Sequence, residues 1–132
     1  MKKYLIIIII GLSVLLSSCT IKNMDEKYDD ASYITSNYYQ TVYVGTIETR
    51  NKVSFQKFSG NDLIDTIYSG NSVTITIDRE ITEGRFKIVM VKSNDEITEL
   101  KNGTFDYYAN EGTVRIIAIG DQAKGWYKII IE

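Results

Sequence analysis

The 132-residue chain predicts an all-β protein, an antiparallel β-sandwich with a small β-barrel as the alternative, and three observations carry that expectation. Short runs of β-branched and aromatic residues alternate with polar ones, so their apolar side chains fall on one face of a period-two ribbon. Clusters of glycine, asparagine, aspartate and serine punctuate these runs at regular intervals, which is the turn chemistry of connected strands. Beyond the N-terminus no segment sustains a 3.6-residue apolar period. The sandwich is preferred because no lumen-forming alternation repeats in every strand.

The N-terminus stands apart from this pattern. Lys2 and Lys3 precede an apolar run reaching Leu16, the charged-then-apolar order of an export signal. As a helix, a dozen apolar residues cover about 18 Å, short of the ~30 Å hydrocarbon core that a retained span must cross. Leu16, Ser17, Ser18 and Cys19 follow, and this stretch resembles the lipobox of bacterial lipoproteins. The resemblance covers residues 1–20 and implies cleavage between Ser18 and Cys19, with the Cys19 thiol carrying a diacylglyceryl group. Two or three acyl chains on one residue give a stable membrane anchor where a single chain binds only marginally. Cys19 has no partner cysteine for a disulfide.

Residues 1–18 are therefore expected as signal peptide, 19–38 as lipidated N-terminus and tether, and 39–132 as one sandwich domain. The segment "TIKNMDEKYDDASYITSNYYQ" is polar, with acids in "DEKYDD". As a flexible spacer of about 20 residues it would reach roughly 25 Å. Its tyrosines, Tyr28, Tyr33, Tyr38 and Tyr39, leave open whether part of 28–43 is already a first strand.

Within the domain, "TVYVGTIE" and "KVSFQKF" are strands flanking a break at Thr49, Arg50 and Asn51, with Val42, Val44, Val53 and Phe55 as core candidates. "SVTITID" sets Val73, Ile75 and Ile77 on one face and Ser72, Thr74 and Thr76 on the other, after a turn at Ser69, Gly70 and Asn71. Arg85 to Lys92 turns at Ser93, Asn94 and Asp95 into Ile97 and Leu100. Asn102-Gly103 forms a tight hairpin turn before "TFDYY". Thr113 to Ile119 turns through "GDQAKG" into Trp126 to Glu132. In the strands around Val89 and Ile116 both faces are apolar, which places them centrally or under a second covering element.

Composition narrows the function. Lys2 and Lys3 leave with the signal, so 13 of the 15 basic residues face 17 acidic ones, a mature balance of −4. That mildly acidic chain, with no basic cluster, argues against nucleic acid or an anionic lipid surface as the partner. The absence of histidine removes imidazole-based nucleophile activation and zinc sites, and lipidation takes the one thiol. No catalytic residue, metal ligand or cofactor site is assigned. The acids Asp95, Glu96 and Glu99, Asp78, Glu80 and Glu83, and Asp106 with Glu111 are ordinary turn and surface carboxylates without calcium-loop spacing.

Trp126, with Tyr107 and Tyr108, is the candidate binding surface. If Tyr127, Ile129 and Ile131 face the core, alternation turns Trp126 outward, where it and the two tyrosines offer area and polar handles. The expected protein is thus a lipid-anchored module on the extracytoplasmic side of a cell membrane, binding a protein, peptide or glycan. A structural or inhibitory subunit of an envelope complex is the alternative, and a carboxylate-based hydrolase is the remaining one.

Overall fold

The computed structural model describes residues 21–132. The expected signal peptide, its expected cleavage site and Cys19 lie outside the described residues. Two short helices, α1 (Met24–Lys27) and α2 (Ala31–Thr35), precede seven strands: β1 (Thr41–Val44), β2 (Ile47–Glu48), β3 (Lys52–Ile67), β4 (Ser72–Val91), β5 (Ile97–Leu100), β6 (Gly103–Tyr108) and β7 (Val114–Ile131). The strands form one open antiparallel sheet in the order β1-β3-β7-β4-β5, with β2 beside β3 and β6 beside β4. The protein is all-β, and the sheet does not close into a barrel.

The sandwich arises from a single sheet folded in half. Both β3 and β4 are antiparallel to β7, hence parallel to each other. Parallel strands ordinarily need a long crossover, yet Tyr68 to Asn71 join these two. Ile67 pairs with Val114 and Ile75 with Ile131, positions about 56 Å apart on a straight β7. A link from Ile67 to Ser72 reaches at most about 18 Å. The ends of β7 must therefore approach one another. The opposite edge repeats the constraint, because Leu100 pairs with Ile88 and Gly103 with Ile77. Lys101 and Asn102 alone thus span a stretch that β4 covers with residues 78–87.

The crease crosses β3 at residues 55–60, β4 at 81–85 and β7 at 120–125, where the ladders carry register shifts. Gly84 and Gly125 make it possible. Each has positive φ, and a Cβ would collide with the Gln122 carbonyl at the first and the Glu80 carbonyl at the second. Across the bend, Phe86 stacks on Tyr127 at 5.3 Å between ring centroids, and Phe55 lies 5.8 Å from Phe86. The core enclosed by the two layers adds Phe58, Ile75, Ile77, Ile88, Met90 and Ile116. Each such side chain contributes roughly 1.5–3 kcal/mol by leaving water.

The crease corrects several expected hairpins. "GDQAKG" is no turn, and Trp126 stands inside β7 rather than opening a last strand. "SVTITID" and "GRFKIVMV" are two arms of β4. Asn102-Gly103 is no hairpin turn: Lys101 and Asn102 separate β5 from β6, which both run along β4, Gly103 pairing with Ile77. The turn at Ser93 to Asp95 does form, with Val91 paired to Ile97. Tyr43 faces the main core, while Val42 packs on the outer cluster and Val44 is exposed.

Residues 21–38, expected as tether, are instead packed on the sheet. Ile21 (6% exposed), Met24, Tyr28 and Ile34 (3%) cover Val89, Val91, Ile117 and Ile119 on the outer face of one layer, so the strands apolar on both sides are those lying under this cover. Polar contacts fix the cover in place. The buried Asn61 amide accepts from the Gln40 N–H at 2.8 Å and donates to the Tyr38 carbonyl at 3.0 Å. The Arg115 guanidinium donates to the carbonyls of Thr35 (2.8 Å) and Ser36 (3.1 Å), where α2 ends. The Lys87 ammonium donates to Asp29 at 2.7 Å, and this bond holds the Asp29 carboxyl below its ordinary value. Tyr28 lies 4.3 Å from the cations of both Arg85 and Lys87. Burial, with the charges of Glu99 and Asp29, pushes its hydroxyl up to about 12.

Candidate functional site

Folding the sheet closes one end and leaves one side open. On that side β1 leaves β3 at Gly60, so residues 62–67 of β3 bond to β7 on one flank and, among the described residues, to no strand on the other. In the facing layer, residues 129–131 of β7 pair with β4 and, among the described residues, meet only the Asn51 carbonyl on their free flank. Both free edges line one recess of about 570 Å3, bounded by Ile64, Asp65, Ile129 to Glu132, Arg50 and Asn51. It continues into a cleft of about 290 Å3 that reaches Asp62 and Tyr127 between Val53, Leu63 and Ile64, under a rim of Glu48, Arg50 and Lys52.

Asp62 is the unusual group there. The Tyr43 hydroxyl donates to its Oδ2 at 2.8 Å. Among the described residues no lysine or arginine forms an ion pair with it. Partial burial raises its carboxyl above the ordinary value against the opposing Tyr43 bond, and the charge of Glu48 adds to the rise. The same burial raises both tyrosines: Tyr43 goes far above its ordinary value, and Tyr127 is pushed up to about 12. Both phenols are therefore neutral donors at physiological pH. Their rings are committed to packing, Tyr43 on Phe58 at 4.5 Å and Tyr127 on Phe86; Tyr127 lines the cleft without an open ring face, and Tyr43 lies behind Asp62.

The sequence-based candidates fall elsewhere. Trp126 points to the outer face, as alternation required, with Tyr127 buried and Ile129 and Ile131 packed on the core. It is half-buried, with the Lys52 ammonium 4.3 Å above its ring. Tyr107 turns toward the core, and Tyr108 is 56% exposed on the opposite face. Both line a recess of about 410 Å3 with Ser72, Val73, Thr74, Asp106 and Glu132. Trp126 pairs with Glu80 and Tyr108 with Ser72, so Trp126 and the tyrosines are separated by about 25 Å along β4. They do not form one surface.

The acids singled out in the sequence are dispersed. Asp106 accepts from the Thr74 hydroxyl at 2.7 Å, Glu99 meets Lys101 at 3.4 Å and Glu96 meets Lys92 at 3.6 Å. Among the described residues no three carboxylates converge on a point that could hold a metal ion, and no helix is long and apolar enough to cross a membrane. Set beside protein-family models, curated proteins and solved structures, the chain matches none of them.

Proposed function

We propose that the protein is a lipoprotein anchored through Cys19 on the extracytoplasmic side of a membrane, and that its sandwich binds an extended polypeptide segment of a partner along the open side. The anchor rests on the stretch Leu16-Ser17-Ser18-Cys19. The binding reading rests on one observation, the pair of free strand edges lining a single recess that ends at Asp62. Unpaired backbone N–H and C=O groups are satisfied by an added strand, and pockets beside the edge select alternate side chains. The walls Ile64, Ile129 and Ile131 suit apolar residues. Glu48, Asp62, Asp65 and Glu132 outnumber Arg50 and Lys52, so the fitting segment carries lysine or arginine among its apolar residues. Acids on the edge also oppose pairing with a second copy of the same edge. A glycan fits less well, because sugar rings need open aromatic faces and the one aromatic residue lining the cleft, Tyr127, is stacked on Phe86.

A photo-crosslinking residue at Ile64 in intact cells tests this. Capture of a protein, lost on Asp62→Lys, supports it; capture of protease-resistant glycan instead, or crosslinks from Trp126 and none from Ile64, overturns it.

A further inference from the structure

Resting on the lipid anchor proposed above, we infer that the crease of the sheet lies against the lipid headgroups and that the Tyr68–Asn71, Ser93–Glu96 and Asn110–Gly112 turns point away from the membrane. Ile21 is already part of the fold, buried against the outer face, and a Cβ on Gly60 would strike its Cδ1. From Cys19 to Ile21 the chain reaches at most about 7 Å. The headgroup layer on each side of a bilayer is about 6 Å thick. The folded body therefore has no standoff, and whatever surrounds Ile21 touches the headgroups.

That surrounding is the crease. Ile21 to Asp25 share one recess with Gly84, Asp121 and Gln122, residues at the bends of β4 and β7. The turns lie at the other end of folded arms of roughly nine residues each, about 30 Å farther out. Charge does not set this orientation. Lys22, Arg85 and Lys124 stand near Asp25, Glu83 and Asp121, a balanced group with no net pull toward anionic lipid. The short covalent link sets it, so the contact persists in high salt.

The test uses the full acylated chain in vesicles of phosphatidylethanolamine and phosphatidylglycerol, with Glu83→Cys at the crease or Asn71→Cys at the tip. Both positions are exposed and carry a fluorophore read by a headgroup-attached quencher. Acylation of each sample is read by mass. Quenching is expected to be roughly fivefold stronger at position 83 than at 71, unchanged by salt. A Gly/Ser spacer of about 20 residues between Thr20 and Ile21, with a reach near 25 Å, should abolish the difference. Acylated protein quenched equally at both positions, or more strongly at 71, overturns the orientation alone. Unacylated protein overturns the anchor and the orientation together.

Discussion

Replacing Ile34 by alanine measures whether the N-terminal segment is part of the fold. Ile34 is 3% exposed and packs with Ile21, Met24 and Tyr28 over Val89, Val91, Ile117 and Ile119. The substitution deletes three side-chain carbons, worth about 2.4 kcal/mol at ~0.8 kcal/mol each. The cavity left behind adds to this, limited because a short surface helix can settle into the gap, so the loss should be about 2.5–3.5 kcal/mol. With a urea m-value near 1.5 kcal/mol/M, the midpoint falls by about 2 M. The assay is urea unfolding of a soluble chain beginning at Thr20, followed by Trp126 fluorescence. Ile47→Ala serves as control, since that side chain is 67% exposed. A midpoint for Ile34→Ala within about 0.3 M of the parent would show that residues 21–38 behave as a spacer, and would refute the packing account.

Asp62→Asn should stabilise the protein at neutral pH. A carboxyl raised in the folded state contributes fully below its ordinary value of 3.8 and loses that contribution as pH rises toward the folded value. Stability-against-pH curves should converge in acid and separate near neutrality, and a lower midpoint for Asn at pH 7 would contradict this. Gly125→Ala places a Cβ against the Glu80 carbonyl at a φ of +150° and should cost about 2–4 kcal/mol, read by thermal unfolding. Absorbance titration should show two phenols, Tyr28 and Tyr127, ionising near 12, with the amplitude of that step about halved in Tyr28→Phe. Trp126 fluorescence should be quenched by acrylamide at an intermediate rate, since the ring is half-buried beneath Lys52.

Strand positions were legible because the period-two signal is local: Val73, Ile75 and Ile77 could be assigned to one face from spacing alone. What spacing cannot carry is continuity through a bend. At "GDQAKG" the residues that signal a turn are those that let β7 crease without ending, since bulges and turns draw on the same small and polar residues. The helical cover was hidden for a related reason. α1 and α2 have four and five residues, too few to display a period, and Ile21, Met24 and Ile34 are isolated apolar residues in a polar stretch. The predicted site leaned on the exposure of Trp126, Tyr107 and Tyr108. Asp62 escaped notice because its character comes from burial, the opposing Tyr43 hydrogen bond and the charge of Glu48, surroundings supplied by the fold and distant in sequence.

The middle strand of the sheet is the last to be made. β3 and β4 flank β7 and do not bond to each other, so a chain still on the ribosome has only local hairpins until residue 114 and beyond emerges. For the exported lipoprotein proposed above, this order keeps the two layers from closing on each other before β7 is present. A product truncated before β7 has lost the strand both layers share.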